Sequence, residues 1–304
     1  MFKGEMIPSA TSGKQGIGTF SATGTFNASG NIMSLLYGDD FIGQTDLIGK
    51  NYAFYKLFKS NDRLINVSNL ILPATTLASN CYGSMFHSCT SLTTAPELPA
   101  TTLESSCYNS MFYGCASLTT TPELPVTTLA SYCYNSMFSL CTSLTTAPEL
   151  PATTLANYCY SYMFSGCTSL TIAPELPATT LASYCYYYMF RACTSLTTAP
   201  ELPATTLANY CYSYMFYGCT SLTTAPELPA TTLVSNCYSN MFQNCSSLNY
   251  IKAMFTTAPS NTYTKNWVSG VSSNGTFVKN SAATWDVSGV SGIPEGWTIE
   301  TADA

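Results

Sequence analysis

Charge is what this chain has least of. Only 9% of its 304 residues are Asp, Glu, Lys or Arg, against about 25% in an ordinary soluble protein. The apolar fraction is an ordinary 46%, so Thr, Ser, Tyr and Asn stand where charge would be. A disordered chain needs low hydrophobicity and high net charge, and this one has neither. Ten basic residues against sixteen acidic ones exclude a nucleic-acid surface, which needs clustered Lys and Arg to neutralise phosphate. No apolar run is long enough to span a bilayer, so no membrane insertion is expected. The opening MFKGEMIPSATSGKQG lacks the apolar centre of a signal peptide. An exported protein would then carry its signal elsewhere or travel by another route.

Catalytic inventory is equally thin. His87 is the only histidine, and no cysteine pair has the close spacing of a zinc site. No phosphate-cradling glycine loop is present. The recurring glutamates are copies of one environment, whereas paired catalytic carboxylates need two different ones. The expectation is a protein that is not an enzyme, with no catalytic residues, no metal site and no cofactor.

What the chain does have is a repeat. All fourteen cysteines fall in pairs eight residues apart, from Cys81/Cys89 to Cys237/Cys245, and the pairs recur with a 26-residue period. The unit from Cys159 reads CYSYMFSGCTSLTIAPELPATTLASY. A degenerate copy precedes them in NYAFYKLFKSNDRL, where Ala53, Phe54, Leu57, Phe58, Asn61 and Leu64 replace Cys, Tyr, Met, Phe, Cys and Leu. Stacked units share one core, and terminal units are expected to be atypical. The division expected is an N-terminal cap over 1–50, a solenoid over 51–250 with one degenerate and seven Cys-pair units, and a C-terminal cap with short strands over 251–304.

Advancing about 100° per residue from the first cysteine puts Cys, Tyr, Met, Phe and the second Cys on one side of a helix. The variable positions −1, 2, 3, 6 and 7 fall on the other. This spacing predicts a short amphipathic helix in each unit. The following SLTTAPELPATTL, with its prolines and threonines, suits a short strand and a turn. The expected fold class is an α/β solenoid of leucine-rich-repeat type, with parallel strands stacked on one face and short helices on the other.

The runs MFSGCTSLT and CYSYMF with the intervening LP, the opening GNIMSLLYGDDF and the closing GTFVKN and SGIPEGW resemble the BspA-like leucine-rich-repeat proteins of gut bacteria and their phages. The usual unit of that family is somewhat shorter than the unit in this chain. The resemblance implies a surface or adhesion role, with binding to protein or matrix.

Two cysteines eight apart on a helix are about 12 Å apart along its axis, beyond the reach of a disulfide. A link between equivalent cysteines of neighbouring units stays open, and reduced thiols on the core face are the expectation, because free cysteine is among the most buried residue types. Fourteen of them favour folding in a reducing cytoplasm, which suits a phage particle. Glutamates at 97, 123, 149, 175, 201 and 227 read as a solvated acidic stripe, and His87 as a solvated surface residue.

The variable positions hold the candidate site. Of 35 such positions ten are Tyr, Arg191 is the one charged residue, and Ser, Asn and Gly dominate the rest. A solubilising face would carry Lys and Glu. Tyr, Ser, Gly and Asn are the composition of binding loops. The candidate patch is Tyr158, Tyr162, Tyr184, Tyr187, Tyr188, Arg191, Tyr210, Tyr214 and Tyr217. The function expected is a binding or adhesion module whose partner is a protein or glycan on a cell or mucosal surface, located extracellularly or at the cell surface. Alternatives are a phage virion component for receptor binding or decoration, and a purely structural spacer. The near-invariant LTTAPELPATT of the other face offers a rival groove for a repeating glycan.

Overall fold

The computed structural model describes Phe20 and residues 22–303. Residues 1–19 of the expected N-terminal cap lie outside the described residues. One continuous apolar core runs from Ala28 to Trp297, and its rings form two columns along the stack. Phe58, Phe86, Phe112, Phe138, Phe164, Phe190, Phe216 and Phe242 follow one another at 5.4–5.8 Å with near-parallel planes. Beside them Tyr82, Tyr108, Tyr134, Tyr160, Tyr186, Tyr212 and Tyr238 stack at 5.8–6.0 Å. The architecture is a solenoid-like repeat fold in which equivalent residues of successive units meet.

The expected helices do not form. Among the described residues the one α-helix is α1, Ser34–Tyr37, and a short 3₁₀ turn follows at Gly38–Phe41. The CYxxMFxxC stretch is instead a chain of overlapping β-turns, with a left-handed residue every fourth position. In the first Cys-pair unit these are Asn80, Ser84 and Ser88, at φ 56°, 54° and 59°. The turns alternate in what their amides do. Cys81, Gly83, Met85, His87 and Cys89 donate three residues back, to Ala78, Asn80, Tyr82, Ser84 and Phe86. Asn80, Tyr82, Ser84, Phe86 and Ser88 donate to Ser105, Cys107, Asn109, Met111 and Tyr113 of the next unit. An α-helix would spend every amide internally and leave the units joined by side chains alone. The turn chain spends half of its amides on the neighbouring unit, as a buried backbone in a stack requires.

The second cysteine of each pair is built into this arrangement. Its thiol donates to a phenylalanine carbonyl of the preceding unit: Cys115 to Phe86 at 3.1 Å, Cys167 to Phe138 at 3.1 Å and Cys245 to Phe216 at 2.9 Å. In the degenerate unit Asn61 occupies that position, and its Nδ2 donates to the Phe20 carbonyl at 3.0 Å. The same unit has left-handed Tyr52, Lys56 and Ser60, so its turns repeat those of its neighbours.

The proline-bearing face is extended but barely hydrogen-bonded. Burial alternates along it: Pro148, Leu150 and Ala152 point in, and Glu149 points out. Parallel pairing is reduced to isolated bridges such as Thr76 with Thr102, Thr154 with Thr180 and Ile172 with Thr198. Proline has no N–H for a ladder, so continuous strands cannot develop there.

Strands proper lie at the two ends. Near the N-terminus β1 (Phe26–Asn27) and β2 (Gly30–Asn31) pair in parallel with β3 (Leu64–Asn66) and β4 (Leu70–Ile71). At the C-terminus β5 (Tyr250–Ala253), β6 (Thr276–Asn280) and β7 (Thr298–Ala302) form a parallel sheet. The turn chain itself continues past residue 250. Asn240, Phe242 and Asn244 donate to Lys265, Trp267 and Ser269, and Asn266 and Gly270 are left-handed. Trp267 stands at the methionine position of this turn and caps both ring columns, 6.1 Å from Phe242 and 6.3 Å from Tyr238, its indole N–H donating to Gly292 at 2.8 Å. Among the described residues no helix is long and apolar enough to cross a membrane.

A chain of turns and a row of buried thiols each have a solution signature. The far-ultraviolet circular dichroism spectrum will lack the paired minima of α-helix. The thiols, all fourteen of which are free and buried, will make stability depend on pH. Burial pushes Cys89, Cys133 and Cys193 up to about 12, whereas an unfolded thiol ionises near about 8.5. The folded pKa is the higher one, so this stabilisation is intact below the unfolded value and is lost as pH rises toward the folded value. Each thiol contributes up to about 1.4 kcal/mol per pH unit across that window. The urea midpoint should therefore fall steeply above about pH 8.5. A thiol reagent at neutral pH should label none of the fourteen until denaturant is added.

Candidate functional site

The variable positions have a structural rule that helical angles do not supply. Positions −1, 3 and 7 are the left-handed residues of the turn chain, and positions 2 and 6 precede the last two of them. Asn, Gly and Ser are common at −1, 3 and 7, and glycine and asparagine are the residues that tolerate this backbone best. In the middle of the stack tyrosine takes over. Tyr132, Tyr158, Tyr184 and Tyr210 fill position −1, and Tyr162, Tyr188 and Tyr214 fill position 3, all with φ of 57–60°.

Units that stack in register bring these rings together. Tyr132, Tyr158, Tyr184 and Tyr210 form one column, with centroids 4.4–4.5 Å apart and planes within 8° of parallel. Tyr162, Tyr188 and Tyr214 form a second, at 4.7 and 4.2 Å. Tyr187, at position 2, lies edge-on between them. It meets Tyr184 at 5.3 Å, Tyr188 at 4.5 Å and Tyr162 at 5.5 Å, with the planes close to perpendicular each time. Arg191 lies 5.8 Å from the Tyr188 ring and 5.7 Å from that of Tyr217. The Tyr217 hydroxyl accepts from Asn244 Nδ2 at 3.1 Å.

All nine residues singled out from the sequence thus belong to one connected cluster. Its tyrosines are half-buried against one another and Arg191 is exposed. Burial, then the neighbouring phenols, hold Tyr158 and Tyr162 up to about 12 and push Tyr188 higher still. Those three phenols are neutral throughout the physiological range. The surface they present is made of ring edges and hydroxyls, because the ring faces are spent on each other. The patch read from the sequence omits Tyr132, which carries the first column one unit further. Aligning the units position by position is the signal that finds it.

His87 is a correction. It is half-buried, not solvated: its ring stacks on Tyr113 at 4.6 Å and its Nδ1 lies 2.9 Å from Ser88 Oγ. Burial, then the charges of Lys59 and Lys56, lower its pKa.

The opposite face carries clefts between successive proline segments. One of about 490 Å³ lies between Pro122–Pro125 and Pro148–Pro151, and the next, about 510 Å³, between Pro148–Pro151 and Pro174–Pro177. Glu97, Glu123, Glu149, Glu175, Glu201 and Glu227 are all exposed along this side. Glu227, the last of the row, pairs with Lys252 at 3.0 Å. Among the described residues no group of three His, Cys, Asp or Glu side chains is disposed to hold a metal ion.

No curated protein and no solved structure matches the chain. Residues 50–197 and 161–267 match the BspA type leucine rich repeat region, in six copies. The matched stretch takes in the degenerate unit, the seven Cys-pair units and the turn of Trp267 that caps the ring columns. The chain belongs to the BspA-type leucine-rich-repeat family.

Proposed function

We propose that the chain is a non-enzymatic recognition module that binds a partner on a cell or mucosal surface through its tyrosine cluster. The family to which it belongs is one of repeat-based binding modules, and the cluster supplies the specific surface. The observation that carries this reading is the presence of tyrosine on left-handed backbone.

Seven tyrosines adopt that conformation in the two columns, at about 1–2 kcal/mol each. Stacked and edge-on ring pairs return about 0.5–1.5 kcal/mol apiece. The two sums are each on the order of 10 kcal/mol and nearly cancel. Asparagine, which stands at the same positions as Asn80, Asn236 and Asn240, fits the backbone without needing the rings. Tyrosine therefore adds contact area and hydroxyls and little net stability. Tyr and Arg are favoured where binding energy concentrates, and a two-torsion side chain already held by neighbours loses little entropy on binding.

A variant carrying Tyr184→Asn, Tyr188→Asn and Tyr214→Asn tests both halves of the argument. Its unfolding free energy should stay within about 1 kcal/mol per substitution of the parent, because cost and return are removed together. Pull-downs from bacterial-surface and mucosal extracts should recover a partner with the parent chain and lose it with the variant. Equal recovery would move the site to the proline clefts. No partner for either chain would favour a structural spacer.

A further inference from the structure

The tyrosine columns are also placed for a covalent reaction that neither binding nor folding requires. Five pairs of phenol rings, each joining the same position of consecutive units, are stacked in register. They are Tyr132–Tyr158 (4.5 Å), Tyr158–Tyr184 (4.4 Å), Tyr184–Tyr210 (4.5 Å), Tyr162–Tyr188 (4.7 Å) and Tyr188–Tyr214 (4.2 Å), with planes within 10°. Rings this close and this nearly parallel bring the carbons ortho to their hydroxyls within a short movement of one another. These rings are also within reach of small oxidants, Tyr132 being 37% exposed and the others half-buried.

We propose that these two columns are sites of oxidative coupling, in which neighbouring units become joined by dityrosine bridges when a haem peroxidase and hydrogen peroxide are present. Each of two stacked phenols gives up one electron and one proton to the peroxidase. The paired phenoxyl radicals form a carbon–carbon bond between their ortho positions. The two ortho hydrogens then shift to the oxygens, which restores both phenols. The balance is two tyrosines and one hydrogen peroxide giving one dityrosine and two waters. The left-handed backbone holds each ring against its neighbour, so coupling within the chain competes well with coupling between chains. The product is a staple between consecutive units on the side where no disulfide joins them, since all fourteen cysteines are free and inside the core.

The chain contains its own control. The second tyrosine ladder, Tyr82 to Tyr238, repeats with the same period, but its rings are 5.8–6.0 Å apart and buried. It is wider and shielded, so it stays unreacted.

The test treats the dilute, folded full chain with a haem peroxidase and hydrogen peroxide, followed by dityrosine fluorescence and mass spectrometry of peptides. The expected product is monomeric and lighter by two hydrogens per bridge, with its bridges drawn from the five pairs named and each tyrosine engaged in at most one dityrosine. Tyr158→Asn, Tyr188→Asn and Tyr210→Asn together break every one of those pairs and should abolish the intrachain bridges. Should that variant fold poorly, Tyr188→Asn alone should remove the bridges to Tyr162 and Tyr214 and leave Tyr158–Tyr184 intact. Bridges in the buried column, bridges only between chains, or an unchanged yield in the variants would overturn the proposal. Loss of a binding partner plays no part in these readouts, so the recognition reading stands or falls separately.

Discussion

Everything in this structure depends on where alternate backbone amides point. Across CYxxMFxxC, odd positions donate to the following unit and even positions donate three residues back. That alternation is available only if the chain reverses every four residues, and the reversal needs a residue with positive φ at each fourth place. A helix satisfies its own amides and stacks on neighbours through side chains; this turn chain is bonded to its neighbours through the backbone itself. The consequence is strict register, because a unit displaced by one residue would lose its whole row of bonds.

Register explains the side chains inside. Rings at one position meet rings at the same position of the next unit, so a single good contact is repeated along the molecule. The second cysteine is small enough for the closed end of the turn chain and donates its proton to the phenylalanine carbonyl behind it. A serine would make that bond with a group costlier to dehydrate, and an alanine would leave it unmade. Asn61 and Trp267 show how the ends differ: Asn61 stands in for the donating thiol and Trp267 for the repeated methionine, and each hydrogen-bonds to a terminal segment.

Register also explains the surface. A tyrosine repeated at one variable position necessarily becomes a stacked column, and two such columns with Tyr187 wedged between them become a rigid patch. As proposed, binding and oxidative coupling draw on different properties of the same patch: recognition would use the outward edges and hydroxyls, whereas coupling would use the spacing of faces turned inward on one another. The proline side differs because its prolines forbid the ladder, which leaves clefts of about 490–510 Å³ between units.

The sequence by itself determined the repeat, its period, the buried columns and every member of the tyrosine cluster but Tyr132, because each follows from which residue types recur from unit to unit. The replacement of the second Cys by Asn61 in a degenerate unit is legible for the same reason. The local conformation is not. Over so short a stretch a period of four and the helical period place Cys, Tyr, Met and Phe on one side alike, so the pattern reads as a helix. The Gly, Asn and Ser recurring at every fourth position are the available signal, masked where tyrosine replaces them. The burial of His87 is hidden from the sequence because its partner, Tyr113, belongs to the next unit and meets it only through stacking. Only the tertiary structure decided between helix and turn chain. That choice turns on whether an amide finds its acceptor inside its own unit or in the next, and the next unit exists as an acceptor only once the stack has formed.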